Sequence, residues 1–359
     1  MNMANSPLLS RPGAVAGAQT DAGVAAHYGE PNKEQRALFN GDAIADLSHF
    51  EVVQLAGEDR LTWLNTLSSQ ALDNLHPGQS TQTLLLTVQG RIEFDIRVLA
   101  GTDFLWLLLE PGQARLLVTF LERMRFMMRV EITDVSEQYA LLGACAAQPA
   151  LAHYPVWIDP WPGVAVGGYA YSAPEEHPGT ESPWYLYIVP AAELEAAVGT
   201  TPLAGMLAVE ALRIAAWRPR FGFDTDEKTI PHELDLIRTA VHLDKGCYKG
   251  QETVARVHNI GRPPRRLVFL QLDGSMHTLP AVGSEVRIGE KVIGTLTSVA
   301  THFEAGPIAL AIIKRNIDTE SDVDVVDGEE HYAAKQETIV SPDAGQTAGR
   351  FTGFLRTPR

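Results

Sequence analysis

Cysteine is scarce in this chain: 359 residues carry two, Cys145 and Cys247. Two thiols can make one pairing at most, so a disulfide-stapled scaffold is excluded, and so is a cluster or structural zinc site held by four cysteines of one chain. Long hydrophobic runs are lacking too. Apolar stretches such as Phe104 to Leu109 and Ile308 to Ile313 fall far short of the ~20 residues needed to cross a bilayer, which predicts a protein without a membrane span. Positive charge is in deficit, with 29 Lys and Arg against 44 Asp and Glu and a formal net charge of -15. That balance argues against coating nucleic acid or anionic membrane through an overall field. The start, Met1-Asn2-Met3-Ala4-Asn5, has neither the basic residues nor the apolar core of a secretory signal. With two thiols expected to be free, a cytoplasmic location is predicted.

Against this background one segment stands out. Lys245-Gly246-Cys247-Tyr248-Lys249-Gly250-Gln251-Glu252 packs one of the two cysteines between two lysines and two glycines. A cysteine reacts as its thiolate, which neighbouring ammonium groups favour, and glycines permit backbone angles that other residues avoid. If the segment is extended, positions 245, 247 and 249 share a face, and Lys245 and Lys249 flank the sulfur. Cys247 is thus the candidate nucleophile, with the two lysines tuning its ionisation. Cys145 ends an apolar stretch without an adjacent lysine and reads as packing. His242 and His258 flank Cys247 at spacings that match no metal motif, and no bound metal is expected. Between Lys245 and Arg266 the bases are Lys245, Lys249, Arg256, Arg262, Arg265 and Arg266 against one acid, Glu252, a local surface attractive to anions.

The periodicities predict a mixed α+β protein. Residues 1–35, rich in small residues, are expected to be a disordered tail. Residues 36–262 form the body. Thr81 to Val88 and Arg91 to Leu99 read as a hairpin turning at Gln89-Gly90; on its second strand Ile92, Phe94, Ile96 and Val98 alternate with Arg91, Glu93, Asp95 and Arg97. The charged face reads as a solvated ion-pair surface. Leu116, Leu117, Phe120, Leu121 and Met124 predict an amphipathic helix, Val164 to Tyr169 a strand, and Pro202 to Trp217 a helix. After Arg262-Pro263-Pro264 the signal is almost purely strand, and residues 263–359 are expected to close a small β-barrel.

The cysteine segment resembles the signature K-G-C-Y-x-G-Q-E of the YgfZ family, folate-binding relatives of the glycine-cleavage T-protein that include a mitochondrial iron–sulfur assembly factor. The resemblance spans roughly residues 40–355 and continues through Val254-Ala255-Arg256 and Ala211-Leu212-Arg213-Ile214. It implies a T-protein-like body around a central cavity, followed by the barrel. It implies tetrahydrofolate or a related reduced folate as cofactor, with Asp95, Trp217 and Arg256 as contact residues, and the iron–sulfur assembly machinery or its client enzymes as partners. Gly90-Arg91-Ile92-Glu93-Phe94-Asp95 resembles the T-protein pattern G-G-x-x-D-D, with Phe94 at the first aspartate and Arg91 at the second glycine. Residues 210–217 resemble a stretch ending L-E-A-G, with Ala215 at the glutamate and Trp217 at the glycine. These departures count against aminomethyl transfer more than against folate binding. The resemblance therefore implies an accessory protein in iron–sulfur assembly or repair; the alternatives are a folate-dependent aminomethyltransferase or demethylase, and an RNA-associated module supporting tRNA modification. Direct nucleic-acid binding is disfavoured by the lack of a paired aromatic RNA-binding motif.

Overall fold

The architecture is that of a computed structural model describing residues 5–172 and 177–345. Two five-stranded sheets and a closed barrel carry the fold. One sheet runs in the order Ser80–Leu86, Ile92–Ala100, Phe104–Leu109, Glu51–Ala56 and Glu131–Asp134, with every neighbouring pair antiparallel. The other runs Val156–Ile158, Tyr185–Pro190, Tyr139–Ala144, Ile44–Asp46 and Leu203–Ala204, the last pair being parallel. The barrel closes in the order Arg265–Leu272, Gly306–Lys314, Lys291–His302, Glu285–Ile288, Val323–Asp327 and Glu330–Thr338, as the density of short strands predicts.

Alternation decides which way each strand faces. On Ile92–Ala100, Phe94 and Ile96 enter a core beneath helix Ala114–Arg125, whose Leu117 and Leu121 are fully buried. The barrel's interior is apolar, from Val268, Leu270, Leu296 and Val325. Its outer face is apolar as well: Leu267, Phe269, Ile308 and Leu310 pack against Ile214, Trp217 and Leu234 of the body. Barrel and body therefore share a core.

The expected tail is a correction. Residues 5–35 are folded: Leu8 is completely buried, Ser6 Oγ donates to Asp46 Oδ2 at 2.5 Å, and Asp21 accepts from Arg220 at 2.7 Å. Composition missed this because polar anchors far along the chain, rather than local apolar runs, hold the segment. Val164 to Tyr169 is irregular, fastened by Ala165 N–H to Arg238 O and Tyr169 N–H to Ile237 O. The expected helix Pro202 to Trp217 is a short strand, Leu203–Ala204, then a helix, Met206–Ala215. Gly205 separates them where a Cβ would meet Ala26 O at 2.3 Å. The expected barrel segment beyond residue 345 lies outside the described residues.

Candidate functional site

The Cys247 loop connects Leu243 to helix Gln251–Asn259 and is irregular, with turns at residues 243–244 and 249–250, not an extended strand. Gly250 forms the helix's N-cap with φ of 87°, and a Cβ there would come 2.5 Å from Thr87 O in the hairpin turn. Both the left-handed angle and the close approach require glycine. Gly246 has open space where a Cβ would stand and meets no such demand. Gln251 Nε2 donates back to Lys245 O at 3.1 Å and closes the loop. Tyr248 is buried with its hydroxyl unpartnered, and burial raises its phenol. Glu252 lies exposed in the helix's first turn.

Both lysines are committed elsewhere, which corrects the extended-segment expectation that they flank the sulfur. Lys245 Nζ donates to Asn65 O at 2.6 Å and to Ser68 O and Gln70 O at 2.7 Å. These carbonyls lie at the C-terminal end of helix Arg60–Leu67 and just beyond it, where carbonyls lack intrahelical partners and a cation is favoured. Burial lowers the ammonium to about 8, and Asp73 opposes that shift. Lys249 Nζ pairs with Glu93 Oε2 at 2.7 Å and sits 5.5 Å from the centre of the Phe120 ring. Cys247 itself is exposed, whereas Cys145 is buried, lies 3.7 Å from Ser182 Oγ and has its thiol raised by burial. His242 and His258 serve local contacts: Asp244 N–H donates to His242 Nδ1, and His258 Nδ1 meets Tyr171 Oη at 2.8 Å.

The charged face of the second hairpin strand turns inward at Asp95 and Arg97, against its reading as a solvated surface, while Arg91 stays exposed and Glu93 remains in a half-exposed pair with Lys249. Gln82 Nε2 donates to Asp95 Oδ1 at 2.8 Å, and Arg97 pairs with Glu110 at 2.9 Å. Asp95 keeps some solvent contact, yet burial pushes its carboxyl up to about 6; Arg97 and Gln82 oppose the rise, while Glu110 and Asp159 add to it. Such a carboxyl changes charge near neutral pH and can give or accept a hydrogen bond. Phe94 lies on the other face, under Phe120, so its aromatic side chain alters the core rather than the Asp95 side.

Arg220 occupies the centre of a buried charge network absent from the sequence reading. It reaches Asp21 at 2.7 Å, Glu110 at 2.8 Å and Glu210 at 3.1 Å, while Arg213 holds Glu210 at 2.6 Å and Asp224 at 2.9 Å. Burial alone would raise the Asp21 carboxyl, but hydrogen bonds from His49 and Arg220 hold it well below the usual range. A cavity of about 50 Å³ adjoins the network, lined by Phe50, Trp184, Met206 and Arg97 among others. The available signal was Arg213, Arg218 and Arg220 within eight positions at the end of an apolar helix.

The other expected contacts do not gather at Asp95. Trp217 is 7 % exposed and belongs to the core shared with the barrel, with a φ of 57°. Arg256 is exposed on helix Gln251–Asn259. The basic run is largely neutralised: Arg265 is shared by Asp226 at 2.7 Å and Glu233 at 2.9 Å, and Arg262 pairs with Asp343. Arg266 is fully buried, donates to Ile317 O and Gln336 Oε1, and is lowered by burial to about 10.

The comparisons with known proteins agree with this architecture. Residues 8–146 match the GCVT N-terminal domain. Over 354 residues the chain is 26 % identical to a chloroplastic protein of Arabidopsis thaliana named as a transferase, covering 89 % of this chain and 78 % of the relative. An aminomethyltransferase of Streptomyces coelicolor is 25 % identical over 307 residues, covering 80 % and 82 % of the two chains. The crystal structure of glycine cleavage system aminomethyltransferase T from Bartonella henselae aligns with a TM-score of 0.71 at 18 % identity, over 93 % of this chain and 95 % of that one. At that identity the likeness is one of fold, and the fold is the T-protein's.

Proposed function

We propose that this chain is a tetrahydrofolate-binding accessory protein of iron–sulfur cluster assembly or repair, with Cys247 as its working thiol. The observation that carries the reading is Asp95, an inward-facing carboxyl raised to about 6 that keeps contact with solvent. The amino and amide edge of a pterin asks for such a partner. The Asp95 carboxyl suits that edge by its chemistry, whereas the cavity beside the Arg220 network, at about 50 Å³, falls well below the ~300 Å³ at which ligand pockets begin. Folate when bound would supply a one-carbon carrier; the chain's contribution at Asp95 would be to hold and orient its ring. The match to the GCVT N-terminal domain supports this reading, as does the fold.

Cys247 is the exposed thiol of the pair, on a loop fixed by Lys245 at one end and Gly250 at the other. A fixed loop presents a nucleophile to a partner at little ordering cost. Thermal melts with tetrahydrofolate test the folate claim: Tm rises with ligand concentration, and no shift at saturation, with no heat in calorimetry, overturns it. Loss of iron–sulfur enzyme activities in cells lacking the chain, rescued by the wild type and not by Cys247→Ser, tests the thiol. The names of the relatives favour a second reading, aminomethyl transfer. Ammonia release from an aminomethyl-lipoyl carrier would establish that one.

A further inference from the structure

The two oxygens of Asp95 meet unlike surroundings. Oδ1 accepts from Gln82 Nε2 at 2.8 Å, whereas Oδ2 accepts no hydrogen bond among the described residues, on a side chain that keeps contact with solvent. The hairpin explains how Gln82 arrives there. Leu84 stands opposite Asp95 and Gln82 opposite Arg97, so Gln82 is a diagonal neighbour of Asp95 on the same face, within the span of a long side chain. The charged groups near Asp95 are Arg97 on its own strand, Glu110 just after strand Phe104–Leu109, and Asp159 just after strand Val156–Ile158. Arg97 pairs with Glu110 and Asp159 with Arg218. Gln82 is thus the one side chain among the described residues that donates to the carboxyl.

Gln82 is itself held in one orientation. A carboxylate can only accept, so the amide presents its NH2 to Asp95 and its oxygen to the other side. There Thr239 Oγ1 donates to Gln82 Oε1 at 2.8 Å. Thr239 is fully buried, and its carbonyl accepts from Gln70 Nε2 at 2.7 Å; Gln70 N–H donates in turn to Oγ1 of Thr83, the residue after Gln82, at 3.0 Å. These neutral groups form a circuit from the hairpin through residue 239 and back, and its outlet is Asp95. When Asp95 gains a proton, the proton goes to Oδ2, because Oδ1 already faces a donor.

We propose that Gln82, backed by Thr239, is the positioning residue of this site: it fixes Oδ2 as the oxygen that Asp95 offers to a bound ligand, and it holds the carboxyl as an acceptor for the N–H edge of a heteroaromatic ring. The identity of that ring rests on the folate reading above; the role of Gln82 rests on the hydrogen bonds. An amide that donates to the charged carboxyl favours the charged form. Without it Asp95 keeps its proton to higher pH and accepts less well.

The test reads the free full-length chain and its complex separately. Carbon-13 NMR of the Asp95 carboxyl follows its charge against pH without ligand, and Gln82→Met, close in size to the original, should move the midpoint at least about 0.5 pH higher. Thr239→Val frees the amide to turn its oxygen toward Asp95 and should move the midpoint the same way by less. Calorimetry with tetrahydrofolate at pH 7 should show Gln82→Met binding at least about tenfold more weakly than wild type. That loss should shrink at pH 9, where Asp95 is charged in both proteins. An unmoved midpoint in Gln82→Met, an affinity unchanged at pH 7, or a weakening equal at pH 7 and pH 9, as a merely structural residue would give, overturns the proposal. If Gln82→Met lowers Tm sharply, Thr239→Val decides by the same two readings. Wild-type protein that gives no heat with tetrahydrofolate sinks the folate reading instead; the ligand-free titration then judges Gln82 alone, a raised midpoint upholding its hold on Asp95 and an unmoved one overturning it.

Discussion

Burial raises the Cys145 thiol while Cys247 stands in solvent, so a mild alkylating agent at neutral pH should label Cys247 first and Cys145 only on unfolding. Mass spectrometry of the modified peptides reads this directly. Lys245 enters differently from what its position suggests, since its ammonium is spent on three carbonyls. Lys245→Ala should therefore speed proteolysis of the 243–250 loop while leaving the rate of Cys247 labelling at neutral pH unchanged. A markedly slowed labelling rate would instead make the lysine a tuner of the thiol. Asp95 carries a second residue-scale prediction. Burial pushes its carboxyl up to about 6, above the ordinary carboxylate range, so the folded state holds the proton more tightly, and stability falls as pH rises from about 4 to about 6. Above that window the folded state carries the cost of a buried charge. Asp95→Asn should raise Tm at pH 8 and much less at pH 4, and should abolish the folate-induced shift; an equal effect at both pH values would deny that the carboxylate is strained there.

At the scale of elements, the hairpin turn and the Cys247 loop constrain each other through Gly250. Gly250→Ala forces a left-handed angle on alanine and drives its Cβ toward Thr87 O. A loss of at least about 1 kcal/mol is expected in denaturant titrations, with faster hydrogen exchange through residues 243–255. The helix over residues 116–124, the hairpin and the barrel strands were legible because period-4 and period-2 patterns follow from burial of one face. The boundary at Gly205 was not, because it answers to a carbonyl brought near by tertiary structure. The direction of the Asp95 face was equally hidden: alternation shows that charges share a side, and only the pairing of Arg97 with Glu110, which Arg220 also holds, shows that this side is inward at Asp95 and Arg97.

Across the whole molecule, the Arg220 network ties the N-terminal segment, both sheets' neighbourhoods and the barrel into one unit, since Asp224 also accepts from Thr297 and Ser298 of the barrel. Removing one member of a buried network leaves its partners uncompensated. Arg220→Met should cost about 3–5 kcal/mol, read as a single cooperative transition shifted down in urea; two separated transitions would mean that body and barrel are not coupled. The composition of residues 5–35 misled because its anchors are individually polar and remote in sequence, a relation that no local pattern carries.

That remoteness sets a timetable for biosynthesis. Asp21 and Arg220 are 199 residues apart, and at about 5–20 residues per second a ribosome needs roughly 10–40 s to deliver the second after the first. Throughout that interval Asp21 and the segment around it lack the arginine that anchors them. The nascent chain should therefore be a substrate for holding chaperones until the arginine emerges, and its protease resistance should appear abruptly and late.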